Sequence, residues 1–173
     1  MRTIYLAGGC FWGLQKFFDQ FEGVASTQVG YANGPDKAPT YQEVCRDSGH
    51  AETVRIDYDE GRLSLDRLLD LYFLVIDPLS VNKQGGDEGI QYRTGVYYTD
   101  PDQLPALRAA FDREAQKVGA PLKVELLPLK NFSMSTNAGQ NQEQTMFASL
   151  IPIITLVMFY MLNLNSENTR VKR

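Results

Sequence analysis

Apolar positions recur along the first 130 residues in two alternating periods, and the switches between them define the elements. Thr3, Ile4, Tyr5, Leu6 and Ala7 form a short β-like run. Leu14, Phe17, Phe18 and Phe21 then recur at helical spacing, which predicts a helix over about 12–21. Val24 to Tyr31 is strand-like and ends in the turn residues Ala32-Asn33-Gly34-Pro35. Residues 35–51 form a long loop carrying Pro39-Thr40-Tyr41. From Glu52 to Tyr58 the alternation is clean, with Val54, Ile56 and Tyr58 on one face and Thr53, Arg55 and Asp57 on the other. Ser64 is placed to cap a helix carrying Leu65, Leu68, Leu69, Tyr72 and Phe73. A Gly-rich loop covers 77–91, and Thr94 to Tyr98 reads as a strand. Asp100-Pro101 opens a helix with Leu104, Leu107, Phe111 and Val118 along one side, and Lys123 to Leu127 is a final strand. This order predicts an α+β sandwich, with helices over one face of a mostly antiparallel or mixed sheet.

The pattern breaks near residue 132. Residues 133–145 are rich in Ser, Asn and Gln, residues 146–162 carry no charge, and the chain ends Arg170-Val171-Lys172-Arg173. We therefore divide the chain into a domain at 1–132 and a tail at 133–173. The apolar stretch admits three readings: a membrane anchor, a core-packing or amphipathic segment, or an ending replaced by a frameshift.

Composition narrows the classes. A chain of 173 residues suffices for one domain with its own core, and a net charge of −4 gives no electrostatic footprint for nucleic acid. Two cysteines and one histidine cannot supply the usual zinc ligand sets, so no metal is expected. So few cysteines do not make a disulfide scaffold, which favours a reducing, cytoplasmic setting. No export segment precedes Cys10, where Ala7-Gly8-Gly9-Cys10 only superficially resembles a lipoprotein cleavage site.

The candidate chemistry centres on Gly8-Gly9-Cys10-Phe11-Trp12-Gly13. The thiol falls at a strand-to-helix turn, where unpaired N–H groups and the helix dipole favour thiolate; on that ground Cys10 is expected to have a lowered pKa. Phe11 and Trp12 offer an apolar wall beside it. The alternative is a buried structural cysteine. Glu52 shares the parity of Val54, Ile56 and Tyr58, so its carboxyl faces the core, where desolvation raises its pKa and suits it as a general acid. Otherwise it is an exposed residue at a frayed strand end. Tyr41, Tyr92 and Asp87 lie in loops and can reach a site, although each also fits packing or turn chemistry. His50 raises a cysteine–histidine dyad with Cys10, as in thiol hydrolases.

Gly9-Cys10-Phe11-Trp12-Gly13 resembles the signature of the A-type peptide methionine sulfoxide reductases (the MsrA family). Gly30-Tyr31-Ala32-Asn33-Gly34, Pro39-Thr40-Tyr41, Val44-Cys45, Gly49-His50-Ala51-Glu52, Asp77-Pro78 and Asn82 through Gln91-Tyr92-Arg93 follow in the family's order, over about residues 3–132. The resemblance implies a two-layer, plait-like (ferredoxin-like) α+β core with long site-forming loops. It implies reduction of the S epimer of methionine sulfoxide, free or in oxidised proteins, as protein repair under oxidative stress. It makes Cys10 the nucleophile, Glu52 the acid, and Tyr41 and Tyr92 donors to the sulfoxide oxygen. Asp87 positions water or polar partners, and Phe11 with Trp12 holds the substrate methyl group. No cofactor is implied, only an external thiol reductant.

The chain departs from the family after Asn131-Phe132, because residues 133–173 contain neither the family's Tyr-His-Gln element nor a recycling cysteine. Cys45 is the only other thiol and matches a position that does not normally recycle the enzyme. An intramolecular Cys10–Cys45 disulfide is thus not expected. Glutathione or a thioredoxin-like protein (dithiothreitol in vitro) is expected to reduce a Cys10 sulfenic acid, in a monomer. Two competing functions remain: a Cys10–His50 thiol hydrolase, and a non-catalytic binder of oxidised methionine.

Overall fold

The first strand, β1 (Arg2–Ala7), is buried on both sides, which is why its sequence is a continuous run rather than an alternation. Ile4 and Leu6 point into one core, while Tyr5 and Ala7 belong to a second cluster on the opposite face. The computed structural model describes residues 1–35 and 38–135, all within the unit Met1–Ala138. The expectations about the apolar stretch at 146–162 therefore lie outside the described residues.

After β1 come α1 (Phe11–Phe18), β2 (Val24–Ala32), a short α2 (Tyr41–Val44), β3 (Ala51–Tyr58) and α3 (Leu65–Val75). A two-stranded ribbon, β4 (Lys83–Gln84) with β5 (Asp87–Glu88), precedes a 3-10 turn at Ile90–Tyr92. Then follow β6 (Gly95–Tyr98), α4 (Leu104–Val118), β7 (Glu125–Pro128) and β8 (Phe132–Met134). The main sheet has the order β7-β6-β1-β3-β2-β8. All neighbours are antiparallel except β6 and β7, so the sheet is mixed and the class is α+β.

Ser64 caps α3 as expected, its Oγ accepting the Arg67 N–H at 3.2 Å. Asp100 caps a 3-10 turn, Pro101–Gln103, that precedes α4 rather than α4 itself; its carboxylate accepts the Asp102 N–H at 3.0 Å. Gly119, at φ 71°, closes α4. Helix α1 is shorter than the apolar spacing implied. It stops at Phe18, and Phe21 returns to the same core through a turn, its ring 5.0 Å from that of Phe17. Helices α3 and α4 pack together, with the Phe73 and Phe111 rings 5.3 Å apart edge to face. The long loop after β2 contains α2, closed by a capping box between Thr40 and Glu43.

Register explains where the site forms. Ala7 pairs with Thr53 and with Gly95, and Ala32 pairs with Ala51. The end of β1, the end of β2, the start of β3 and the start of β6 thus lie along one edge of the sheet. The segments 8–10, 33–35, 38–50 and 89–94 flank that edge.

Candidate active site

The two glycines ahead of Cys10 are required by what flanks them. A Cβ on Gly8 would lie 2.7 Å from Ile76 Cγ2, just past α3. Gly9 has φ 76°, and a Cβ there would lie 2.8 Å from Gln84 Cβ on the ribbon. The turn is thus threaded between α3 and β4. Gln84 fixes the ribbon in turn: its Oε1 accepts the Asp77 N–H at 2.8 Å and its Nε2 donates to the Asp77 carbonyl at 3.0 Å.

Cys10 is the N-cap residue of α1, half-buried and a free thiol. The N–H groups of Trp12 and Gly13 face its sulfur and favour thiolate, as the sequence implied. They do not prevail. Burial, followed by the charge of Glu52, pushes the Cys10 pKa up to about 11, and Asp87 adds to the effect. The expectation of a lowered thiol pKa is corrected on this point. A helix N-terminus acts on the thiol locally, whereas desolvation and a neighbouring carboxylate act on it from the rest of the fold.

Glu52, the second residue of β3, is only 5% exposed. Its Oε2 accepts the Phe11 N–H at 3.1 Å, which joins it to the first turn of α1. Burial raises its pKa to about 7; the Phe11 N–H opposes the shift and the Asp87 charge assists it. This matches the parity argument.

Asp87 reaches the same turn from β5. The Cys10 N–H bonds to its carboxylate and draws its pKa down, although burial raises it on balance. Tyr92, at the end of the 3-10 turn, has its phenol pKa raised by burial and then by the charges of Glu52, Asp87, Cys10 and Tyr41. Tyr41, half-exposed at the start of α2, has a pKa raised to about 12. Its hydrogen bond to Cys45 is the main cause; the Cys45 charge, burial and Glu52 follow. Glu52 and Asp87 thus act on the titration of both Cys10 and Tyr92, and Glu52 also acts on that of Tyr41, which places the five groups near one end of the sheet. Phe11, the residue after Cys10, is buried with its ring 5.1 Å from that of half-buried Trp12, edge to face.

His50 is engaged elsewhere. Its Nε2 lies 3.0 Å from the Pro35 carbonyl and its Nδ1 lies 3.0 Å from Ser48 Oγ. A carbonyl only accepts, so Nε2 carries hydrogen and Nδ1 of the neutral ring accepts from the serine. The ring lines a cavity of about 280 Å³ with Pro35, Pro39, Glu43, Arg46 and Ser48. Both ring nitrogens thus have partners other than Cys10, which speaks against the cysteine–histidine dyad.

Tyr31 was not visible as a site residue in the sequence. It pairs with Glu52 in register, and its ring stacks 5.6 Å from Phe11. Its position before the Ala32-Asn33-Gly34 turn, on the same strand face as Val29, was the available signal.

The chain matches the family model "Peptide methionine sulfoxide reductase" over residues 2–148, past the boundary drawn at 132. It is 51% identical over 133 residues to the peptide methionine sulfoxide reductase MsrA of Clostridium acetobutylicum, covering 76% of this chain and 82% of that one. It is 54% identical over 132 residues to the MsrA of Lachnoclostridium phytofermentans, covering 76% and 80%. Among solved structures it resembles Mxr1 of Saccharomyces cerevisiae in reduced form, with TM-score 0.74 at 30% identity over 79% of this chain and 80% of that one. Methionine sulfoxide reductase A of Corynebacterium diphtheriae gives TM-score 0.73 at 33% identity, over 78% and 69%. On these matches the chain belongs to the peptide methionine sulfoxide reductase family, oxidoreductases that reduce methionine sulfoxide at the expense of thiols.

Proposed function

We propose that Cys10 and Glu52 are the reacting pair of this enzyme, acting on methionine S-sulfoxide free or in polypeptides. The observation that carries the proposal is their joint attachment to one helix turn: Cys10 caps α1 and Glu52 accepts the N–H of the next residue. A sulfoxide sulfur is a poor electrophile until its oxygen is protonated. Glu52, with a pKa of about 7, is suited to hold that proton and to return it. The Cys10 sulfur attacks the sulfoxide sulfur while the oxygen takes a proton from Glu52. The adduct collapses so that the oxygen ends on Cys10 as a sulfenic acid, and methionine departs. One external thiol then displaces water to give a mixed disulfide, and a second releases the Cys10 thiol.

Tyr41 and Tyr92 serve as donors to the sulfoxide oxygen, since both phenols stay protonated, the Tyr41 hydroxyl turning from Cys45 to the substrate. Asp87 orients the Cys10 turn through the Cys10 N–H. Phe11 and Trp12 receive the methyl group. The finer fold reading is a ferredoxin-like plait, supported by the β1-α1-β2-β3-α3-β6 succession in the strand order β6-β1-β3-β2. A thioredoxin-like protein in a reducing compartment is the proposed reductant; Mxr1 has been crystallised in complex with Trx2. Resolution by Cys45 is not proposed, because Cys45 matches a position of the family's pattern that does not normally recycle the enzyme.

The test is an assay of both sulfoxide epimers with dithiothreitol. Turnover of the S epimer is expected, lost in Cys10→Ser and strongly slowed in Glu52→Gln. Mass spectrometry after one turnover without reductant should find a sulfenic acid on Cys10; a Cys10–Cys45 bond, or equal use of both epimers, overturns the reading.

A further inference from the structure

We propose that Arg93 is a positioning residue that sets the Tyr92 hydroxyl against the substrate oxygen; the inference rests on the role given to Tyr92 above. Tyr92 ends a single 3-10 turn, held from within by its own N–H to the Gly89 carbonyl at 3.0 Å. One turn of this kind is a weak mount for a group that must be placed to within a fraction of an ångström. The next residue supplies the mount.

The Arg93 side chain, 11% exposed, donates in three directions. Its Nη1 bonds to the Ile90 carbonyl at 3.0 Å, which closes the turn that carries Tyr92. Its Nη2 bonds to the Asn33 carbonyl at 3.3 Å, just past β2. Its Nε bonds to Glu125 Oε2 on β7 at 3.2 Å, and the same oxygen accepts the Tyr97 hydroxyl at 2.7 Å.

Each acceptor is itself fixed. Asn33 donates its N–H to the Asn131 carbonyl at 3.2 Å and its Nδ2 to the Pro128 carbonyl at 3.2 Å; its Oδ1 accepts the Lys130 N–H at 2.7 Å. Glu125 belongs to a strand of the main sheet. The guanidinium thus fastens the Tyr92 turn to two separate strands. A lysine can keep the ion pair with Glu125, but a single ammonium cannot span carbonyls in both other directions as the planar fork does.

The test is a double-mutant cycle with a methionine S-sulfoxide peptide and dithiothreitol, using Arg93→Lys and Arg93→Met alone and in a Tyr92→Phe background. Melting temperatures are recorded for each. Both single Arg93 variants should lose about tenfold to a hundredfold in kcat with KM nearly unchanged. In Tyr92→Phe the same substitutions should cause no further loss, because the hydroxyl they position is gone. Multiplicative losses in that background, or an Arg93→Lys enzyme with full kcat, overturn the inference while leaving Tyr92 in place. A Tyr92→Phe enzyme with full kcat removes the role of Tyr92 and the inference with it. If Arg93→Met melts below the assay temperature, Arg93→Lys alone decides, since it retains the charge on Glu125.

Discussion

Phe11 donates its backbone N–H to Glu52 Oε2 at 3.1 Å, across 41 residues of sequence. The N-terminus of α1 therefore serves both members of the proposed reacting pair. Its N–H groups are divided between a carboxyl with a pKa near 7 and a thiol near 11, and neither is brought below its ordinary range. Between those two values the pair holds one proton, on sulfur for most of the time. The proposed reaction needs the same single proton, placed on the carboxyl. The two states differ only by proton transfer, so rate depends on their total.

The first prediction concerns pH. kcat/KM for the S-sulfoxide should rise as pH increases through about 7, hold a plateau, and fall toward about 11. Steady-state rates across that range check it. Activity that declines on raising the pH through neutrality would show instead that both protons must be present.

Glu52→Gln should lower the Cys10 pKa. The Glu52 carboxylate is the second-largest cause of the raised thiol value, and it penalises the negative sulfur. Removing that charge favours thiolate, so ultraviolet thiolate absorbance should appear at lower pH than in the wild type. An unchanged titration would mean that the carboxyl is not seated beside the sulfur.

The same substitution should stabilise the fold above neutrality. Folded Glu52 binds its proton more tightly than the unfolded chain, 7 against 4.5. Folding is therefore penalised above about pH 7, and the penalty fades as pH falls toward 4.5. Glutamine removes the buried charge and can still accept the Phe11 N–H. An increase of about 1–3 kcal/mol in unfolding free energy is expected on the basic side, and none in acid. Urea denaturation at the two extremes measures it. Stability and turnover would then move in opposite directions.

Gly9→Ala and Gly85→Ala form a matched pair. Both residues have positive φ, 76° and 58°, but a Cβ on Gly9 meets Gln84 at 2.8 Å while one on Gly85 meets nothing within 4 Å. Gly85→Ala should cost about 1 kcal/mol from backbone strain alone. Gly9→Ala should cost about 2–3 kcal/mol and also lower kcat, because the displaced ribbon carries Asp87. Thermal denaturation and initial rates compare them.

His50→Ala should lower the melting temperature but leave the pH limbs in place. The ring joins Ser48 to the Pro35 carbonyl and packs against Gly34, so its loss removes two hydrogen bonds and opens a void, about 2–4 kcal/mol together. Loss of the acidic limb in this variant would implicate the imidazole in proton transfer.

The sequence made legible what depends on near neighbours. The apolar period after Cys10 located α1, and the alternation from Glu52 to Tyr58 turned the carboxyl inward. It could not show α2, because four residues are too few for a helical period and only the Thr40–Glu43 box marks them. Nor could it show Arg93, Gln84 or Tyr31, whose importance lies in partners on other elements. The thiol pKa belongs with these. The dipole of its own helix is a local property, whereas its burial and the approach of Glu52 arise only when β3 is laid beside β1.

The high resting pKa of Cys10 also governs which reagents the enzyme tolerates. Peroxides and alkylating electrophiles consume cysteine in its ionised form, and at neutral pH that form is scarce here. Slow loss of the Cys10 thiol to hydrogen peroxide or iodoacetamide at neutral pH is the expected consequence.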